Sequence, residues 1–184
     1  MKDNKIYLTS DLHLGHANII KYCNRPYRDV NEMNEDLINK WNQVIGDTDR
    51  VFFLGDFALG SKEDVIRWGN RLHGRKVMIY GNHDHYKPSV YYEAGFEHVS
   101  KWPIVIQKRY LLSHAPMISD PNFADIGNLI NIYGHIHEKT EIGPTIGSNS
   151  ACVCVERWEY RPVELSVIEE RIREVNKKGS NNGS

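Results

Sequence analysis

The chain has 184 residues, 40% of them apolar and 26% charged, with a net charge of −1. This composition excludes collagenous, low-complexity and membrane-embedded chains, and the balanced charge supplies no global field for nucleic acid while leaving room for a local basic groove. No apolar run approaches the ~20 residues of a membrane span, so no membrane partner is expected. At this length one core burying roughly 70% of the unfolded surface is expected. It would form one domain over residues 1–176, with a polar, disordered tail over 177–184. The three cysteines, Cys23, Cys152 and Cys154, make an odd count with no apolar leader after Met1. Together these point to the reducing cytoplasm.

In chain order, Ile6–Thr9 reads as a buried strand opening into the polar Ser10-Asp11-Leu12-His13. Met33, Leu37, Ile38, Trp41 and Ile45 recur at helical spacing, predicting a helix over 31–45 with Asn31 as N-cap and Gly46 as the stop. Val51–Leu54 is a second strand, ending at Gly55-Asp56. Ser61–Leu72 is a helix opened by a capping box of Ser61 and Asp64. Lys76–Tyr80 is a third strand, ending at Gly81-Asn82-His83-Asp84. Further strands are predicted at 104–106, 110–113, 129–133, 151–155 and around 158–163, followed by a helix from Leu165 to about Val175.

Five of these strands end in clusters containing Asp, Asn or His: Asp11-Leu12-His13, Gly55-Asp56, Gly81-Asn82-His83-Asp84, Ser113-His114 and Gly134-His135-Ile136-His137. Strand ends line the ligand crevice of α/β folds, so the clusters are expected to converge on one site. Carboxylate, imidazole and amide donors suit manganese, iron, zinc or nickel better than calcium or a thiolate site.

The succession D-x-H, G-D, G-N-H-D, an isolated H and G-H-x-H resembles the five-block pattern of calcineurin-like metallophosphoesterases, intact here from Asp11 to His137. Residues 151–156 and 158–163 also resemble the closing strand pair of small bacterial and phage-type members. The resemblance implies a four-layer αββα sandwich of two mixed sheets flanked by helices, with metals at one edge. The strand pattern alone leaves a doubly wound sheet open. It further implies two divalent ions, manganese first, with iron, zinc or nickel as alternatives. One would be held by Asp11, His13 and His137, the other by Asn82, His114 and His135, and Asp56 would bridge them. Two dications roughly 4 Å apart repel, and a shared anionic oxygen holds them together. With only Asp11 and Asp56 as anionic ligands the site stays net positive, which draws phosphate.

The implied activity is hydrolysis of a phosphodiester or phosphomonoester by a metal-bridging hydroxide, the diester being preferred. His83 follows Asn82 without being needed as a ligand and is expected to serve as general acid, oriented by Asp84. Small family members carry a G-H-x-N-I-I and R-P arrangement after the first block. Gly15-His16-Ala17-Asn18 and Arg25-Pro26 match it, making His16, Asn18 and Arg25 candidate substrate contacts, with a polar-stitched loop as the equal alternative. His73, His85 and His98 belong to no block and read as ordinary surface histidines, His85 being the one near enough in sequence to reach the site mouth. Cys152 and Cys154 alternate on one strand face and read as core, and the four separate tryptophans read as core or rim residues. Three rival readings stand beside this one: a nuclease using the same chemistry on nucleotides or nucleic-acid ends, a non-catalytic interaction scaffold on the same fold, and a mononuclear hydrolase.

Overall fold

Short β-branched and aromatic runs pair into two sheets, and the residues left over form helices that cover their faces. The computed structural model describes residues 4–117 and 128–181. In chain order the elements are β1 (Ile6–Thr9), α1 (Ala17–Tyr22), α2 (Val30–Val44), β2 (Arg50–Phe53), α3 (Lys62–Arg71), β3 (Arg75–Ile79), α4 (Pro88–Glu93), β4 (Phe96–Ser100), β5 (Ile104–Ile106), β6 (Tyr110–Ser113), β7 (Ile130–Tyr133), β8 (Ser150–Cys152), a 3-10 turn (Val155–Trp158), β9 (Val163–Glu164) and α5 (Leu165–Asn181).

The first sheet has the order β4-β3-β2-β1-β9 and the second β5-β6-β7-β8. Both are mixed: β9 runs antiparallel to β1 and β5 antiparallel to β6, while the other pairs are parallel. Side-chain alternation then divides the core. Tyr7, Val51, Phe53, Met78 and Phe96 turn to one face of the first sheet, where they meet Ile19 of α1, Met33, Leu37 and Trp41 of α2, Trp68 of α3 and Tyr91 of α4. Leu8, Phe52 and Ile79 turn the other way and pack with Tyr110, Leu112, Ile130 and Ile132 of the second sheet and with Ile168 and Ile172 of α5. The result is the expected α/β arrangement of two mixed sheets flanked by helices. No helix among the described residues is long and apolar enough to cross a membrane.

Several boundaries differ from the sequence expectation. Asp29, not Asn31, caps α2, its carboxylate accepting from the Asn31 and Glu32 amides. The capping box of α3 forms as expected, Ser61 and Asp64 accepting reciprocally from each other's backbone. The strands expected at 151–155 and 158–163 are cut short because Val155–Trp158 coils into a 3-10 turn and Glu159 and Tyr160 take left-handed backbone, φ 53° and 63°. Ala151 and Cys152 remain of the first, opposite Ile132 and Tyr133, and of the second only Val163 remains, which together with Glu164 pairs opposite Leu8 and Tyr7. Three elements escaped the sequence reading. At six residues each, α1 and α4 are too short for a periodic pattern to show. In β4 only Phe96 and Val99 are buried, which breaks the alternation, and its register shifts between Lys76 and Val77 of β3. The expected tail is helical as far as Asn181, since α5 runs on through it. Its last three positions lie outside the described residues.

Candidate metal centre

Each cluster sits where a strand stops, and short backbone hydrogen bonds lace the clusters together. The Asp11 amide donates to the Gly55 carbonyl at 2.9 Å and the His13 amide to the Asp56 carbonyl at 3.0 Å, so the ends of β1 and β2 continue side by side past the sheet. Across the sheets, the Gly134 amide donates to the His114 carbonyl at 2.8 Å and the His135 amide to Asp11 Oδ2 at 2.9 Å. The His83 amide donates to Asp56 Oδ1 at 2.8 Å. These approaches require glycine at two points. A Cβ on Gly81 would stand 2.1 Å from Asp56 Oδ1, and one on Gly134 would stand 2.5 Å from Asp11 Oδ2.

One oxygen of each aspartate is therefore spent on backbone and the other is left over. The spare Asp11 Oδ1 lies 3.7 Å from His137 Nε2 and 3.9 Å from His13 Nε2. The spare Asp56 Oδ2 lies 3.4 Å from His13 Nε2 and 3.5 Å from His114 Nε2. Two sets of three donors thus gather within 4.8 Å: Asp11, His13 and His137, and Asp56, His114 and His135. Asn82 joins the second set, its Oδ1 2.9 Å from His114 Nε2. The structure accordingly brings all seven expected ligands together at one edge of the two sheets.

The donors fit divalent metal on two further observations. Asp11 Oδ1 and His13 Nε2 are buried polar atoms with no hydrogen-bond partner, a costly arrangement unless a cation meets them. His114 Nδ1 lies 2.8 Å from the Leu54 carbonyl, which assigns the ring proton to Nδ1. That leaves Nε2 as a lone pair facing the acceptor Asn82 Oδ1 with no proton between them, as two ligands of one cation would. Oxygen and nitrogen donors without thiolate suit a first-row divalent ion.

Electrostatics sort the imidazoles. Burial pushes His13 far down, aided by nearby His137 and Arg25, and burial with lesser neighbours also lowers His16 and His135, so these rings stay neutral and able to ligate. Burial pulls His137 down too, but its hydrogen bonds to Cys23 and Glu156 and the charges of Asp11 and Glu156 outweigh this and hold it up at about 11. A metal at this ring must displace that proton.

The remaining expected residues divide. His83 lines a cleft of about 410 Å³ with His13, His16, Tyr22, His135 and His137. Its ring centroid is 5.3 Å from that of His13. His16 reaches the same cleft, 6.1 Å from His83 between ring centroids. Asn18 is exposed on α1 and is not in the cleft wall. Asp84 is buried, and its carboxylate accepts from the amides of Asp56 at 2.7 Å, Phe57 at 3.0 Å and Gly81 at 2.8 Å. Burial lifts it to about 6 against those bonds. It thus pins the turn that carries Asn82 and His83 to the Asp56 loop, and holds His83 through the backbone rather than through the ring.

Arg25 departs furthest from its expected role. Only 4% exposed, its guanidinium donates to the carbonyls of Asp11 and Leu12, at 2.7 and 2.8 Å, and to Glu156 Oε1, at 2.7 and 3.0 Å. These bonds direct the guanidinium behind the ligand loop, and Arg25 is in the wall of neither cleft beside the centre. Glu156 Oε1 also accepts from His137 Nδ1 at 2.8 Å, turning Nε2 toward Asp11. Sequence reasoning assigned no role to Glu156 or to Cys23, which neighbours His137 and Glu156. The run 151–156 that resembles the family's closing pair was the available signal for Glu156. Cys23 had none, because it ends a helix too short to predict.

The family model described as calcineurin-like phosphoesterase matches residues 4–143. An uncharacterised protein of Methanocaldococcus jannaschii, MJ1445, is 38% identical over 177 residues, covering 91% of both chains. The gene 66 protein of Mycobacterium phage L5 is 30% identical over 182 residues, covering 83% of this chain and 86% of its own. Among solved structures, the protein AQ665 from Aquifex aeolicus superposes with a TM-score of 0.73 at 24% identity, covering 91% of this chain and 99% of that one, a likeness of fold.

Proposed function

Because the chain belongs to the calcineurin-like phosphoesterase family, we propose that it hydrolyses a phosphodiester at this centre, with His83 as general acid. The carrying observation is the pair of three-donor sets that meet at the spare oxygen of Asp56, with His83 in the adjoining cleft. Asp11, His13 and His137 would hold one divalent ion and Asn82, His114 and His135 the other, Asp56 serving both, with manganese proposed first. When bound, two such ions supply Lewis acidity toward phosphoryl oxygens and acidify a water to a pKa near ~7.

The chain's own groups do the rest. Asp11 and Asp56 are fixed by the His135 and His83 amides, so their spare oxygens need no reorganisation on binding. Glu156 and the Leu54 carbonyl set the tautomers of His137 and His114. The ring of His83, anchored through its amide to Asp56, donates a proton to the departing ester oxygen. A diester is preferred over a monoester because the donors lie between two clefts, of about 410 and 570 Å³, which share Asn82 as a wall. A phosphate held between them has room for a substituent on each side.

The test is steady-state hydrolysis of bis-p-nitrophenyl phosphate beside p-nitrophenyl phosphate, with metal-stripped protein reconstituted with manganese. Faster turnover of the diester is expected. Faster monoester turnover would replace the diester reading with a phosphatase, and no turnover with two metals bound would favour the scaffold.

A further inference from the structure

We propose that the second cleft is a subsite for a neighbouring phosphate of a single-stranded oligonucleotide, held by Lys87 and Lys101. The inference rests on the phosphodiesterase reading for what happens at the metals, but not for what binds in the cleft.

The cleft, about 570 Å³, is walled by Tyr80, Tyr86, His85, Lys87 and Lys101 and reaches the donor set at Asn82 and His114. Whatever occupies it lies against the ligands of the second metal. Among the described residues, no carboxylate stands within 4.0 Å of the Lys87 or Lys101 ammonium, whereas Lys5, Lys40 and Lys62 each pair with one at 2.7–3.1 Å. Among the described residues the one acid in the wall, Asp84, is turned inward onto three backbone amides and presents little charge to the cleft. The 410 Å³ cleft differs: its wall carries Lys139 beside Glu138, which largely offset. The two sides of the centre are therefore unequal, one nearly neutral and one cationic.

The cleft also carries aromatic faces. The Tyr80 and Tyr86 hydroxyls donate at 2.7 Å to the carbonyls of Tyr86 and Gly60, which fixes their rings in the wall. Lys101 lies 5.8 Å from the Tyr80 ring centre, and the next residue, Trp102, is 77% exposed. Unneutralised lysines that track a phosphate chain, interleaved with rings on which bases stack, are the means by which single strands are held without sequence preference. A mononucleotide ester carries no second phosphate to meet these lysines.

The experiment measures binding of a fluorescein-labelled phosphorothioate octathymidylate to the full-length, manganese-loaded protein by anisotropy across a salt series. The Lys87→Ala/Lys101→Ala variant is compared with Lys177→Ala/Lys178→Ala, which removes equal charge from the end of α5. Two lost phosphate contacts lower the slope of log K against log salt by about 1.4 and weaken binding about 25-fold at 0.1 M salt. The α5 variant is expected to match the wild type. Equal losses in the two variants, or no loss in the cleft variant, would overturn the subsite, and tighter binding of a duplex of the same length would overturn its assignment to single strands. Turnover of bis-p-nitrophenyl phosphate by the wild type is read separately. If turnover is absent while the cleft variant loses binding, the catalytic reading fails and the subsite stands.

Discussion

Replacing Arg25 separates two roles that its position near the first cluster allows. The side chains of Arg25 and Glu156 are both 0% exposed, so their ion pair is fully buried. Deleting one partner of such a pair costs roughly 3–5 kcal/mol, because the other charge is left uncompensated. Arg25→Ala also strips the Asp11 and Leu12 carbonyls of their donor, at ~1 kcal/mol or more each. His137 stays on Glu156 Oε1 and recovers part of the first loss, so the expected net destabilisation is about 4 kcal/mol. Arg25→Lys keeps the charge but not the fork of donors and should lose about half as much, roughly 2 kcal/mol. Urea unfolding of the metal-free proteins measures both. The same variants should bind manganese more weakly, since the carbonyls that Arg25 holds belong to the ligand loop itself. A support behind the ligands predicts this pattern with little change in KM once metal is saturating. A loss of stability under ~1 kcal/mol, together with a KM raised tenfold or more, would refute the reasoning and restore Arg25 as a substrate contact.

Two other predictions test the centre. His83→Gln should lower kcat by roughly 10²–10⁴ on an alkyl ester while leaving manganese stoichiometry intact. The loss should shrink for a p-nitrophenolate leaving group, which needs no proton, and an equal loss on both esters would remove His83 from the acid role. Gly81→Ala places a Cβ 2.1 Å from Asp56 Oδ1, so it should displace that carboxylate and lower the manganese stoichiometry measured by elemental analysis from two toward one, and a variant that still binds two ions would show that the turn can yield.

The clusters could be read from the sequence because a strand that ends in a polar residue announces both its end and its site. Asp11, Asp56, Asn82, His114 and His135 each follow a run buried on both faces, such as the Val51-Phe52-Phe53 stretch of β2. Elements below the length at which periodicity becomes visible could not be read, and α1 and α4 lie there. The supporting contacts were hidden for another reason. Arg25 and Glu156 are 131 positions apart, and nothing in either neighbourhood shows that they meet. Arg25 stands out in the sequence through the R-P arrangement that it shares with small family members, and an arginine near dications suits a phosphate as well as it suits a polar-stitched loop. Its carbonyl acceptors, which settle its direction, exist only once the Asp11–Leu12 loop has folded over it.

A second property of the centre was equally hidden. Asp11, His13, Asp56, His135 and His137 all have left-handed backbone, with φ of 60°, 52°, 59°, 70° and 47°. As each strand ends, the chain reverses locally and throws its side chain back over the sheet edge, which is how five ligands from three clusters face one point. Asp and His tolerate this region better than branched residues do, yet each still costs about 1–2 kcal/mol relative to glycine. The sum is comparable with the net stability of a small domain, so the sheets that hold these turns must over-determine them. His135 suits the test because it keeps an exposed face at the rim of the centre, with its ring half-buried against His114. His135→Ala and His135→Gly lose the same ligand and the same contact with His114. At an ordinary position glycine is the less stable of the two by about 0.5–1 kcal/mol. At φ 70° the order should reverse, with the glycine variant more stable by about 1 kcal/mol in urea unfolding of metal-free protein. The sign carries the test: an alanine variant equal to or more stable than glycine would mean that the turn relaxes when metal is absent, and that the ligands are not held in place by the fold.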